Sequence, residues 1–149
     1  MKTLFDPSSR HEIIRRLSKL TPDSRAAWGE MSIDRMICHL LDGLRIAFGE
    51  VQADFKPSFL STRLGRWLVI SSPMPWPRGK IKAAPVFFET QPSGSLERDR
   101  ALLIQYVERF ARGSEQPWGQ SPFLGHLSPE EWAQLNHRHL DHHLTQFGC

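Results

Sequence analysis

Several features that would narrow the class of protein are scarce or missing in this chain of 149 residues. It has only two cysteines, Cys38 and Cys149, and nothing in their positions resembles a disulfide framework. No stretch approaches the roughly 18 continuous apolar residues of a membrane span, and the first residues lack the apolar core of a signal peptide. These absences predict a protein of the reducing cytoplasm that does not act in a membrane.

A strong charge of either sign is missing as well. The net charge is +3, and the lysines and arginines are scattered along the chain instead of forming a block. Without a basic stripe or a recognition motif, no nucleic-acid partner is expected. Hydrophobic residues make up 40% and charged residues 23%, which is ordinary globular usage. The length predicts a single domain that covers residues 1–149.

What the chain does contain is four segments with the apolar spacing of amphipathic helices. The predicted helices cover 11–20, 33–48, 96–112 and the stretch from Pro129 to Gly148. Their start signals are Ser9-x-x-Glu12, Ser32 and Ser128-Pro129-x-Glu131. These residues favour a helix start because a serine side chain accepts a free backbone N–H and the glutamate reaches back to another.

The second and third helices are separated by nearly fifty residues, which are rich in proline and aromatic residues. We expect this crossover to pack against the helices, with one short helix around Ser61–Ile70 and an extended segment at Ala84–Phe88. Four amphipathic helices joined by one long crossover are typical of a four-helix bundle, whose core commonly holds a metal or ligand. The predicted fold class is therefore all-α.

Three of the seven histidines, His139, His142 and His143, lie within five consecutive residues of the last helix. At about 100° per residue, His139 and His143 lie within about 20° of Trp132, in the middle of the apolar stripe, and His142 lies roughly 80° away at its edge. Imidazole is the commonest protein ligand of transition metals. The pair therefore predicts half of a metal site. The alternative is that both imidazoles hydrogen-bond buried groups of the protein.

His39, in the second helix, is the best third ligand. It lies off the main apolar stripe, on a secondary face where Gly43 would leave room beside its imidazole. This position fits a helix that is buried on two sides, and it fits a half-exposed surface histidine equally well. The weaker candidates are His11 and His126, which are expected to face solvent, and His137, which lies away from the stripe of its helix.

Other reactive or aromatic side chains receive structural interpretations. Cys38 points away from His39 and is expected to pack in the core, and Cys149 has no group nearby that would activate its thiol. Gln146 could hydrogen-bond near the histidines, although a surface position is favoured. Trp28, Trp67, Trp76 and Trp118 are expected in the core in preference to a pocket wall.

Two pairs of motifs carry a resemblance to a known family. Met36-Ile-Cys-His39-Leu-Leu together with His139-x-x-His-His-x-x-Gln146 resembles the DinB/YfiT-like superfamily of four-helix metal-binding proteins. Trp28-Gly-Glu-Met-Ser32 and the run from Leu127 to Gly148 are similar to a bacterial DinB-like branch of undefined function. One departure is plain, since that branch usually has His-Pro-x-Phe-Gly before the last helix and this chain has Ser121-Pro-Phe-Leu-Gly125.

The resemblance implies a divalent metal ion held by His39, His139 and His143, with zinc as the first expectation and nickel or iron as alternatives. It also implies an up-down-down-up order of helices and a homodimer. Relatives of known activity are thiol-dependent transferases and an isomerase. The chain is therefore predicted to be a metal-dependent enzyme that activates a low-molecular-weight thiol or water to transfer or hydrolyse a small molecule. The alternative is a non-catalytic metal-binding bundle with a structural or partner-binding role.

Overall fold

The computed structural model describes residues 1–79 and 83–149, and these residues are mainly helical, in agreement with the predicted all-α class. The α-helices are α1 (Pro7–Leu17), α2 (Ile33–Ala47), α3 (Arg63–Arg66), α4 (Leu96–Glu108) and α5 (Pro129–Gln146). Two short antiparallel strands, β1 (Gln120–Ser121) and β2 (Gly125–His126), pair just before α5. No helix in the described ranges is long and apolar enough to cross a membrane.

Two of the predicted helix starts are confirmed. The Ser32 side chain accepts a hydrogen bond from the backbone N–H of Arg35 at the start of α2. At the start of α5, Ser128 accepts from the N–H of Glu131 while the Glu131 carboxylate accepts from the N–H of Ser128 at 2.8 Å. This reciprocal pair is the predicted capping box, and it fixes where the histidine-bearing helix begins.

The predicted start of the first helix is wrong. The helix is capped by Asp6, whose carboxylate accepts from the N–H of Ser9 at 2.9 Å, and it runs from Pro7 to Leu17 instead of from His11 to Leu20. Ser9 lies inside the helix and is buried. The Asp6-Pro7 pair prevails because aspartate is a good N-cap and proline suits the first helical position.

The third predicted helix, over 96–112, is present as α4 followed by a tighter 3₁₀ turn over Arg109–Arg112. Ser95 caps it by accepting from the N–H of Arg98. Leu102 is 40% exposed, whereas Leu103 next to it is fully buried. The helix therefore turns its Leu103 side towards the core.

The four long helices contact one another around an apolar core. Both α1 and α2 lie against α4 and α5. Twelve of the fifteen residues of α2 are buried, including its polar residues His39 and Asp42. This decides between the two interpretations of His39, because α2 is buried on two sides and His39 is only 5% exposed.

The crossover between α2 and α4 covers one flank of the helices. It contains 3₁₀ turns at Phe59–Ser61 and Pro85–Phe88, with α3 and a π-helical turn at Trp67–Ser71 between them. The short helix expected around Ser61–Ile70 is thus present, whereas the expected extended segment at Ala84–Phe88 forms the second 3₁₀ turn. The Pro85–Phe88 turn packs on α2 and the Trp67–Ser71 turn packs on α5. The crossover therefore covers the two helices that carry the candidate ligands.

Candidate metal centre

The three histidines predicted as ligands converge between α2 and α5. One ring nitrogen from each of His39, His139 and His143 lies within 4.8 Å of the other two. The Nε2 atoms of His39 and His139 are 2.9 Å apart, and the three pairs of ring centroids are separated by 4.8, 4.8 and 4.9 Å. These three side chains are therefore close enough to hold one metal ion.

Hydrogen bonds at the outer nitrogens determine which nitrogen faces the centre. Nδ1 of His39 lies 3.3 Å from the carbonyl oxygen of Phe87. A carbonyl only accepts, so Nδ1 carries the proton and Nε2 presents its lone pair to the other rings. A backbone carbonyl in this position is a common outer partner of a metal-binding histidine.

Gln146 provides the acceptor for the outer nitrogen of His143. Its Nε2 donates to the carbonyl of Trp28 at 2.6 Å, which orients the amide so that Oε1 lies 2.8 Å from Nδ1 of His143. That Nδ1 must therefore donate, and Nε2 of His143 is also left with a lone pair. The expectation of a surface position for Gln146 is wrong, because it is only 5% exposed. Its place three residues after His143, on the same helical face, was the signal for this contact.

Gly43 allows α5 to approach α2 at this point. A Cβ added to Gly43 would lie 3.2 Å from Nδ1 and 3.3 Å from Cε1 of His139. Gly43 does leave room for an imidazole, as predicted. The imidazole is that of His139 on α5, however, and not that of His39. Spacing within α2 could not show this, since it depends on how the two helices meet.

The environment keeps all three imidazoles neutral. Burial lowers the pKa of His39 to about 4 and that of His143 to about 3, and it lowers the pKa of His139 well below the ordinary value. Mutual repulsion between the imidazoles lowers the pKa of His139 and His143 further. Neutral imidazole is the form that binds a metal, so these groups need no deprotonation at neutral pH.

Asp42 and Arg35 hold the crossover against His39. The Asp42 carboxylate is fully buried and accepts from the N–H of Thr90 at 3.0 Å and from its hydroxyl at 2.5 Å. Arg35 donates to the carbonyls of Phe88 and Thr90 at 3.4 and 3.3 Å. These bonds fix the turn that presents the Phe87 carbonyl to His39. They also bring the Phe87 and Phe88 rings to 5.5 and 5.4 Å from its imidazole.

A cleft lies beside His142, the neighbour of His143 on α5. His39 is buried, but His139 and His143 remain partly exposed. The cleft has a volume of about 270 Å³, and its lining includes Trp28, Trp76 and His142. The Trp76 ring lies 6.0 Å from that of His139, and the His142 ring lies 5.1 Å from that of His143.

The remaining sequence predictions fare unevenly. Trp28 and Trp76 line the cleft and Trp67 is 49% exposed, against the expectation of core positions. Trp118 is partly buried and packs against the core residues Phe48 and Phe110. Cys38 is a core residue as predicted, and burial raises the pKa of its thiol to about 11.

The weaker histidine candidates do not join the group. His11 and His126 are exposed, as expected. His137, which lies off the apolar stripe, is nevertheless buried, at 6% exposure.

Ser121 begins the segment in which the chain departs from the predicted DinB-like motif. It is buried, and its hydroxyl accepts from the N–H of Leu124, which closes the turn between β1 and β2. In the same turn, the ring of Phe123 stacks on that of Phe87 with centroids 6.2 Å apart. Ser121 therefore stabilises the turn from which Phe123 packs against Phe87, the residue whose carbonyl accepts from His39.

No protein-family model matches the chain, and neither the curated proteins nor the solved structures contain a significant match. The likeness to the DinB-like superfamily consequently stays a prediction from the motifs alone.

Proposed function

We propose that the protein binds a divalent transition metal ion through His39, His139 and His143 and uses it in a reaction on a small molecule. The observation that carries the proposal is the convergence of three neutral imidazoles, two of which have their Nδ1–H held by acceptors. An arrangement in which outer hydrogen bonds aim the Nε2 lone pairs inward is typical of metal sites.

A purely hydrogen-bonded network explains the same atoms less well. Both His39 and His143 present an Nε2 lone pair, and neither can donate from that atom. His139 can supply one proton from its own Nε2, and it can satisfy only one of the two acceptors. One ion would satisfy all three nitrogens. The 2.9 Å separation of His39 and His139 lies within the span of two ligands that are each about 2.1 Å from one ion.

The donor set favours catalysis over a closed structural site. Within residues 1–79 and 83–149, the group contains three histidines and no fourth histidine, cysteine or carboxylate. Three protein ligands with open positions are typical of catalytic zinc sites, whereas structural sites use four. When bound, such an ion would act as a Lewis acid that polarises a carbonyl or lowers the pKa of a thiol or water. Imidazole ligands suit zinc first here, with nickel or iron as alternatives.

The chain's own residues would orient and shield this chemistry. The Phe87 carbonyl and the Gln146 amide fix two imidazoles, while the Phe87 and Phe88 rings exclude water on the crossover side. The partly exposed edges of His139 and His143 leave an approach for a small molecule. We take a low-molecular-weight thiol as the proposed co-substrate, because the family resemblance implies it.

The family, the order of helices and the homodimer belong to the same proposal. The contacts of α1 and α2 with both α4 and α5 support a four-helix bundle. The DinB-like motifs support an up-down-down-up order of helices and a dimer. The cytoplasmic location is proposed separately, from the two cysteines that resemble no disulfide framework.

The first test is metal content. We expect metal-free wild-type protein to take up about one equivalent of zinc in isothermal titration and to retain it through gel filtration. The His139→Ala, His143→Ala variant should take up none. A His11→Ala, His126→Ala variant, which removes two exposed histidines, serves as the matched control. Full zinc occupancy in the His139/His143 variant would overturn the proposal.

The second test separates an enzyme from a structural site. Cobalt(II)-loaded protein should develop a sulfur-to-cobalt absorption band when a small thiol is added, because open positions accept the thiolate. A cobalt spectrum that does not respond to any thiol or to azide would show a closed site and would favour the non-catalytic alternative.

A further inference from the structure

The cleft beside the histidines has an unusual lining. It lies between crossover residues 72–78 and the last turns of α5, with Trp28 and Trp76 among its walls and Arg78 and Arg138 beside them. The guanidinium carbon of Arg78 is 4.4 Å from the centre of a Trp28 ring, and that of Arg138 is 5.5 Å from a Trp76 ring. Each cation is thus placed against a flat aromatic surface.

Positive charge in the cleft is not balanced within the described part of the chain. Asp141 is the carboxylate that lines it, and Asp141 pairs with Arg16 at 2.5 Å. No carboxylate among residues 1–79 and 83–149 forms a salt bridge with Arg78 or Arg138. Arg138 donates through Nη2 to the carbonyl of Met74, which holds the crossover to α5.

Two buried donors of the cleft residues also lack acceptors in the ranges described. They are Nη1 of Arg138 and the indole N–H of Trp28. Buried donors without acceptors are uncommon in native structures because each leaves a desolvated polar group unpaired. Both belong to side chains that line the cleft.

We propose that the cleft binds a small organic oxyanion, a carboxylate or phosphate carried by an aromatic or other planar body, as the substrate of the metal centre. The guanidinium groups match oxyanions through paired N–H donors, and the indole faces suit a planar body. The volume of about 270 Å³ lies just below the range of roughly 300–1,000 Å³ for drug-sized ligands, so the molecule is small.

The position of the cleft connects this ligand to the histidines. His142 lines the cleft and lies next to His143, and the Trp76 ring contacts both His142 and His139, with centroid distances of 5.7 and 6.0 Å. A molecule held by the arginines would therefore lie against Trp76 and His142, the two cleft residues whose rings contact the proposed ligands His139 and His143. This part of the proposal rests on the proposed metal function, whereas recognition of the anion by the arginines does not.

Benzoate and phenyl phosphate are suitable probes, with benzamide as the neutral analogue of benzoate. We expect at least one of the two anions to bind the zinc-loaded protein in isothermal titration and to change the tryptophan fluorescence. Benzamide should bind at least about tenfold more weakly, because it lacks the charge that the guanidinium groups recognise. The anion that binds more tightly identifies the carboxylate or the phosphate class.

Arg78→Gln should weaken anion binding by about tenfold or more. Arg78 is exposed, so this change leaves the core intact, and circular dichroism checks the fold. Arg112→Gln is the matched control, because Arg112 is an exposed arginine in the turn after α4. Equal binding of benzamide and the anions, or unchanged binding in Arg78→Gln, would overturn the proposal.

The same titrations in the His139→Ala, His143→Ala variant distinguish failure of the proposed metal function from failure of the proposed anion site. Zinc uptake by the wild type without any anion binding would overturn the cleft proposal and leave the metal function standing. Anion binding that depends on Arg78 in a protein that takes up no metal would remove the metal function, and with it the role of the anion as a substrate. Tighter anion binding in the zinc-loaded protein than in the metal-free protein would support both.

Discussion

Two clusters of rings pack on α2, and they differ in what their burial does for the protein. The apolar ring cluster consists of Phe5, Phe48, Phe110 and Trp118, with centroids 5.0 to 6.2 Å apart. The imidazole cluster consists of His39, His139 and His143 at similar separations. Phenylalanine rings gain free energy simply by leaving water, whereas each imidazole carries two nitrogens that need partners. One cluster therefore stabilises the fold, whereas the other needs a partner for each ring nitrogen, which is the role we propose for a metal ion.

This difference between the clusters indicates that one part of α2 contributes mainly to stability and another part mainly to function. A group that violates the rules of core packing persists when the rest of the structure is stable enough to hold it, and such groups concentrate at functional sites. The apolar ring cluster lies at the C-terminal end of α2, where Phe48 is 1% exposed. The imidazole cluster lies along the same helix under the crossover. A mutation in the apolar ring cluster should consequently lower the stability of the metal-free protein, whereas a mutation in the imidazole cluster should abolish the stabilisation by metal.

The largest expected effect is on stability in the apolar ring cluster. Phe110→Ala should lower the free energy of unfolding of metal-free protein by about 3–5 kcal/mol, because it removes a ring that is 1% exposed and leaves a cavity. His139→Ala should change it by no more than about 1 kcal/mol, because removal of a costly buried polar group offsets the lost packing. Urea unfolding in the presence of a chelator measures both. Equal losses in the two variants would contradict the distinction between the clusters.

The second prediction concerns stabilisation by zinc, which should depend on the imidazole cluster and not on the apolar ring cluster. Free zinc at about 100 times its dissociation constant should raise the free energy of unfolding of the wild type by about 3 kcal/mol, since the ion binds only the folded chain. The gain should persist in Phe110→Ala and vanish in His139→Ala. Magnesium prefers oxygen ligands and serves as the control ion. A zinc gain that survives in His139→Ala would place the ion elsewhere.

The third prediction concerns pH in the metal-free protein. Since burial lowers the pKa of His39 to about 4 and of His143 to about 3, the unfolded chain binds more protons than the folded chain up to about pH 6.5. Stability should therefore rise with pH across that window, by up to about 1.4 kcal/mol per pH unit for each such histidine, and level off above it. Burial also lowers the pKa of His137 and His142, which add to the slope with the same sign.

Urea unfolding between pH 5 and 7 tests this slope above the titration of most carboxylates. His143→Gln should reduce the slope, and His11→Gln, which alters an exposed histidine, should leave it unchanged. Phe110→Ala should shift the whole curve down without altering its slope. A slope that is the same in the wild type and in His143→Gln would show that His143 is not held neutral by the fold.

The sequence predicts some parts of this arrangement better than others, for physical reasons. His139 and His143 lie on one helix, so helical periodicity alone places them on one face. His39 required knowledge of what covers α2, and the carbonyl that orients it comes from Phe87, 48 residues later. No periodic pattern links residues at that separation. The cleft residues Trp28 and Trp76 were misjudged for the same reason, since Trp28 lies in the loop between α1 and α2 and Trp76 lies in the crossover.

Local signals also competed with one another. Ser9-x-x-Glu12 satisfies the pattern of a capping box, but Asp6 followed by Pro7 satisfies the rules for a helix start three residues earlier. A surface position was also favoured for Gln146. The structure shows that a polar residue at the right helical spacing can be buried when a histidine and a backbone carbonyl satisfy its amide.

The smallest predicted effect is at Gly43, where one added methyl group would change both the stability of α2 and the position of the His139 imidazole. Gly43→Ala should favour the helix by about 1 kcal/mol, because glycine is a poor helix former. Its Cβ would meet the His139 ring at 3.2–3.3 Å, so the imidazole must move by a few tenths of an ångström. Metal-free stability should therefore change by less than about 1 kcal/mol, while zinc affinity should fall several-fold because the ring leaves its position. Comparing Gly43→Ala in the wild type and in His139→Ala isolates the contact: the metal-free protein should gain more stability from the alanine once the imidazole is gone. An equal gain in both backgrounds, with unchanged zinc affinity in the single variant, would mean that Gly43 does not set the position of His139.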